Sequence, residues 1–113
     1  MRNVLLIGTL PKLLQQRKRA FEASGYRVCI ADDVSDAVKI IDEDRCDVVV
    51  IGVAIGENDR TQLARTLKRK CPTVKIVCLY LGGIRNAESA DAVLQVTPEA
   101  QDLVRTVGFL VSA

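Results

Sequence analysis

The sequence predicts an α/β domain built on a parallel sheet with helices on both faces, and three observations carry that expectation. Val4-Leu5-Leu6-Ile7 and Val48-Val49-Val50-Ile51 are apolar at every position, as strands buried on both faces require. Segments of helical length and periodicity separate these runs, which is the pattern of right-handed βαβ crossovers. Turn-forming residues punctuate the alternation, with Gly8 closing the first run and Asp32-Asp33 the second.

Taken in order, Val4 to Ile7 is the first strand. Leu10 to Ser24 reads as a helix with Leu10, Leu14 and Phe21 inward and Gln15, Lys18 and Glu22 opposite. Gly25 stands where a glycine commonly terminates a helix. Arg27 to Ala31 is the second strand, followed by a helix from Ser35 that Asp33 or Ser35 caps. Asp47 to Ile51 is the third strand. The third helix is capped by Asn58 or Asp59, turns Leu63, Ala64 and Leu67 inward and ends before Pro72. Val74 to Leu79 and Ala92 to Val96 are the fourth and fifth strands. Thr97 caps a last helix with Pro98 in its first turn and an apolar stripe of Ala100, Leu103, Val107 and Leu110.

Composition narrows the function classes. At 113 residues the chain has room for one domain, expected to span residues 1–113. With no histidine, His-based triads, His acid–base chemistry, phosphohistidine and histidine metal sites are excluded. No tryptophan, two tyrosines and two phenylalanines leave little for a base-stacking or flavin platform. A net charge of +2 gives no reason to expect nucleic acid or an anionic membrane as partner. No apolar run approaches the roughly 20 residues of a membrane span, and no signal peptide is legible at the N-terminus, so a cytoplasmic location is expected. Cys29 and Cys78 read as buried strand residues. Cys46 and Cys71 each precede a strand and come close if those strands are neighbours, although cytosolic thiols are normally kept reduced.

In open parallel sheets function sits at the carboxyl ends of the strands. Here that rim comprises Gly8-Thr9, Ala31-Asp32-Asp33, Gly52-Val53, Tyr80-Leu81 and Val96-Thr97. The order of elements, with the phrases Phe21-Glu22-Ala23-Ser24-Gly25-Tyr26-Arg27-Val28, Asp47-Val48-Val49-Val50-Ile51 and Ala90-Asp91-Ala92-Val93-Leu94, resembles the receiver domain of bacterial response regulators. The resemblance implies a flavodoxin-like, doubly wound five-stranded sheet of order 2-1-3-4-5.

It also implies a rim chemistry that these residues do not supply. Receivers carry an acidic pair that holds Mg²⁺ after the first strand, and a phospho-acceptor aspartate after the third. A Ser or Thr ends the fourth strand and a Lys the fifth. The matching positions hold Gly8 and Thr9, Gly52, Tyr80 and Val96. Glycine brings neither a nucleophile nor a carboxylate for a hard cation, and valine cannot pair with a phosphoryl oxygen. No phospho-acceptor, metal or cofactor is therefore expected. Asp32, Asp33, Glu57 and Asp59 are candidate replacement acids, weighed against their ordinary use as helix caps. Only eight residues, Leu81 to Glu88, separate Tyr80 from Ser89, so the family's fourth helix is expected to be shortened or missing.

Candidate partner or anion contacts are Gly82, Gly83, Ile84 and Arg85, which suit a backbone nest, and Phe109, which lies off the last helix's apolar stripe. Gly8-Thr9-Leu10-Pro11 matches neither nucleotide-loop pattern. Arg65, Lys68, Arg69 and Lys70 read as a solvated helix end complementing the macrodipole. The sequence thus points to a degenerate, stand-alone receiver-like domain, not itself an enzyme, that works by protein–protein contact or self-association in signal transduction. The alternative is a sensor of a small anionic ligand at the rim.

Overall fold

The computed structural model describes residues 2–43, 46–52, 55–80, 91–95 and 100–112, without the side chains of Glu57, Tyr80, Ser112 and residues 92–95. The elements run β1(Asn3–Ile7), α1(Pro11–Ala23), β2(Arg27–Ala31), α2(Val34–Glu43), β3(Val48–Ile51), α3(Glu57–Lys70), β4(Lys75–Tyr80), β5(Ala92–Gln95) and α4(Ala100–Ser112). All strands pair in parallel, in the order β2-β1-β3-β4-β5. The chain winds outward both ways from β1 and β3, leaving their carboxyl ends side by side at the centre of the rim.

Strand alternation sorts the apolar residues into two layers. Leu5, Ile7, Val49, Ile51, Ile76 and Cys78 face one side with Ala37, Ile41, Leu63, Ala64 and Leu67 of α2 and α3. Val4, Leu6, Val48, Val50, Val77 and Leu79 face the other, with Leu14, Phe21, Leu103, Val104 and Val107 of α1 and α4. Phe21 meets Tyr26 edge-on at 5.4 Å and 89°, the favoured arrangement for two aromatic quadrupoles.

Local chemistry sets the element ends. Gly25 adopts φ +93°, a backbone region that side chains disfavour. There its N–H donates to Glu22 O at 3.1 Å and the Tyr26 N–H to Phe21 O at 3.1 Å, closing α1 in a Schellman motif. Asp33 caps α2, its Oδ1 accepting the Asp36 N–H at 2.8 Å. Asp47 Oδ2 accepts the Asn3 N–H at 2.8 Å and ties the entry of β1 to that of β3. Asp91 does the same for β5 on β4. Its N–H donates to Ile76 O at 2.8 Å, while its Oδ2 accepts the Ile76 N–H at 2.7 Å and lies 2.9 Å from Lys68 Nζ. Lys68 also donates to Val74 O at 2.6 Å, and Lys70 pairs with Asp42 at 2.8 Å, so two members of the basic helix end tie α3 to its neighbours.

Several expectations need correction. Leu10 is 49% exposed and precedes α1, because Pro11 begins the helix. The inward stripe is Leu14, Arg17 and Phe21. The N-cap of α3 is Gly56, without a side-chain cap; Glu57 already opens the helix, which places Asn58 and Asp59 inside its first turn. Cys29 is only half-buried because β2 is an edge strand, whereas Cys78 is buried. Cys71 Sγ lies 4.0 Å from the Cys46 carbonyl oxygen, so the two segments are adjacent, and neither cysteine is in a disulfide. A fourth helix is present, counted in chain order, as Ala100–Ser112. The interval 81–90, where a shortened or missing helix is expected, lies outside the described residues, as do Thr97 and Pro98.

Two substitutions test these ties. Asp91→Ala leaves the Ile76 N–H and the Lys68 ammonium without their carboxylate and should cost about 1–3 kcal/mol, read as a lower urea midpoint at unchanged slope. Gly25→Ala should cost roughly 1–2 kcal/mol, because alanine in that left-handed conformation is strained.

Candidate functional site

The rim is shaped at its centre by two glycines. The Gly8 N–H donates to Ala31 O at 3.1 Å and the Gly52 N–H to Ile7 O at 2.9 Å, which continues the sheet's hydrogen bonding one residue beyond β1 and β3. Gly52 is held so close that a Cβ there would lie 3.0 Å from the Ile7 carbonyl oxygen. At Gly8 the equivalent atom would meet only Leu14 Cδ2 at 3.4 Å, ordinary van der Waals contact. Gly8, Thr9 and Gly52, three of the positions singled out from the sequence, surround one small cavity of about 10 Å³, completed by Leu10, Leu13, Leu14 and Arg17.

Arg17 is the residue the sequence reading missed. It lies at the centre of the inward stripe of α1, between Leu14 and Phe21, and is only 6% exposed. From there the guanidinium reaches the rim, with Nη1 3.9 Å from the Cβ position of Gly52. Burial pulls its pKa below the ordinary guanidinium value, yet an arginine stays charged at neutral pH. No hydrogen bond or ion pair joins it to the described residues. The signal for it was the spacing 14-17-21, which puts residue 17 on the core face whatever its polarity.

A second guanidinium stands at the neighbouring strand end, where Arg60 of α3 donates Nη1 to Leu79 O at 2.8 Å. Its charge partly offsets the burial that pushes the Cys78 thiol up. The entrance to α1 adds partial positive charge. Leu10 at its N-cap gives no side-chain hydrogen bond, and the first turn holds no acidic residue.

Asp32, Asp33 and Asp59 do not line this cavity. Asp33 is committed to capping α2, and Asp32 beside it is exposed. Asp59 is exposed in the first turn of α3; Glu57 opens that helix, and its side chain lies outside the described ones. Among the described residues no group of three or more metal-ligating side chains comes together. Tyr80 ends β4 by its backbone, while Val96 and the contacts Gly82, Gly83, Ile84 and Arg85 fall outside the described residues. Phe109 projects from α4 and is 81% exposed. No helix among the described residues is long and apolar enough to cross a membrane.

Comparison with known proteins agrees with this architecture. The chain is similar in fold to a response regulator from Thermotoga maritima, with a TM-score of 0.88 and 19% identity over 100% of this chain and 99% of that one. A response regulator receiver domain protein from Clostridium thermocellum gives a TM-score of 0.86 and 23% identity, over 99% of this chain and 95% of that one. A third, the response regulator TrrA of Thermotoga maritima, crystallised in complex with Mg²⁺-BeF, gives 0.84 and 18% over 97% and 99%. No curated protein matches the chain. The family model described as response regulator receiver domain matches residues 4–104, and on that match the chain belongs to the response regulator receiver domain family.

Proposed function

We propose that this receiver domain signals through protein contact and without phosphoryl transfer. The observation that carries the reading is Gly52 at the end of β3, where the family's acceptor aspartate belongs and where this chain has no side chain to phosphorylate. The neighbouring positions agree. Gly8 and Thr9 supply no carboxylate for Mg²⁺, and the charged side chain lining the cavity is the cation of Arg17, which repels a second cation. With no reacting group of its own, the domain acts as a binding module, with a protein partner or a second copy of itself in the cytoplasm. Among the described residues both faces of the sheet carry packed apolar layers, which supports a kept scaffold with altered rim chemistry.

Among the described residues the exposed ring of Phe109 on α4 is a large apolar group free to take part in such a contact. The shortened connection between β4 and β5, with Gly82, Gly83, Ile84 and Arg85, is proposed to belong to the same output side.

Intact-mass spectrometry after incubation with Mg²⁺ and acetyl phosphate should show no adduct under conditions that label an active receiver. A stoichiometric, hydroxylamine-labile adduct would overturn the reading, and Asp32, Asp33, Glu57 and Asp59 would be the first positions to replace. Phe109→Ser should change folding stability by no more than about 0.5 kcal/mol, because the ring is exposed. It should weaken self-association or partner capture measured by sedimentation; unchanged association would remove Phe109 from the contact.

A further inference from the structure

Cys46 and Cys71 stand 25 residues apart and meet at the end of the sheet opposite the rim. Two backbone hydrogen bonds bring them there. The Lys75 N–H donates to Asp47 O at 3.0 Å, which holds the start of β4 beside that of β3. The Val74 N–H donates to Cys71 O at 3.0 Å, so the turn out of α3 returns the chain to the same place. Cys71 is the C-cap of α3, and its Sγ lies 4.0 Å from the carbonyl oxygen of Cys46. Cys46 is buried in the apolar layer beneath α2 and α3. Cys71 packs against that layer and keeps part of its surface in water.

We propose that Cys46 and Cys71 form a dithiol switch, closing reversibly to a disulfide by exchange with a low-molecular-weight disulfide such as oxidised glutathione. Cys71 is the member that a reagent reaches from water, and Cys46 the buried one that resolves the intermediate. The Cys71 thiolate attacks one sulfur of the external disulfide, whose S–S bond breaks. One thiol leaves and takes up the proton that Cys71 gave up. Cys46 Sγ, as thiolate, then attacks Cys71 Sγ in the mixed disulfide and expels the second thiol, which takes up the proton of Cys46. One external disulfide is reduced to two thiols, and the protein dithiol is oxidised. In a reducing compartment the pair rests as two thiols, and a rise in the disulfide pool closes it. The other cysteines stand apart from this pair. Cys29 lies on β2, with β1 between it and β3, and Cys78 is level with Ile51 towards the rim end of β4. The bond closes a loop that holds the whole of β3 and α3, so it restricts the unfolded chain. It also fastens the end of α3 to the entry of β3, beside the tie from Lys70 to Asp42. Because the pair lies at the opposite end of the sheet from Gly8 and Gly52, its oxidation is independent of whether the rim takes a phosphoryl group.

The test is incubation of the folded, full chain with oxidised and reduced glutathione at graded ratios, followed by acid quenching, alkylation, intact-mass measurement and peptide mapping. The expected product is a monomer lighter by two hydrogen atoms, with Cys46 joined to Cys71 and full return to the dithiol on adding dithiothreitol. Its urea midpoint should be higher than that of the dithiol. Cys71→Ser should abolish the mass change. Cys46→Ala should stop the reaction at the mixed disulfide, seen as one glutathione adduct on Cys71. If Cys46→Ala does not fold, the time course of the parent decides, since the adduct on Cys71 should rise and fall ahead of the internal bond. The switch is overturned if the parent stops at the adduct, if the bond joins other cysteines or two chains, or if the urea midpoint does not rise. Oxidation of Cys71→Ser like the parent, or an adduct that forms first on another cysteine, would overturn it as well.

Discussion

Residues Val4 to Ile7 and Val48 to Ile51 are essentially without contact with water, and the whole molecule is arranged around that burial. Two strands buried on both faces need apolar side chains at every position, and four helices must then cover two faces of one sheet. Parallel pairing goes with this, because the three crossovers from β1 to β4 each carry a helix over a face. The same constraint confines polar chemistry to where β1 and β3 run out. Gly8 and Gly52 lie one residue beyond the ends of their strands, which brings backbone without side chains to the centre of the rim.

The charged residues divide into two kinds against that background. Asp33, Asp47 and Asp91 each use a carboxylate to accept a backbone N–H at the start of an element, and Lys68 and Lys70 tie α3 to β5 and α2. These groups hold the scaffold and are satisfied by it. Arg17 differs in kind, since its position on the helix forces burial while nothing described neutralises it. A fold that retains such a group keeps a fixed positive charge at one defined point of the rim.

The scaffold was legible because its signals are local and redundant. Unbroken apolar runs mark β1 and β3, Gly25 marks the end of α1, and Asp33 marks the start of α2. The misreadings came where two local rules compete. Leu10 looked like the first inward residue of the helix, but Pro11 begins α1, where its missing N–H costs nothing. Asn58 and Asp59 looked like caps, but α3 had already begun. The site was legible only in part. The empty rim positions were visible as Gly8, Thr9 and Gly52, whereas Arg17 was not, because arginine inside an apolar stripe is read by its chemistry as surface and only the helical period places it in the core. The pin at Asp91 went unseen for another reason: its partners, Ile76 and Lys68, become neighbours only after the sheet is assembled.

The close approach of Gly52 to the Ile7 carbonyl bears on which sequences are reachable from this one. An aspartate at position 52 would need that carbonyl to give by a few tenths of an ångström and would arrive next to a guanidinium, with no second carboxylate at Gly8 to share a metal ion. The substitutions that would build an acid-lined rim are therefore coupled, and their effects should not be additive. A chain with glycine at both positions and arginine at 17 is therefore more than one substitution away from an acid-lined rim.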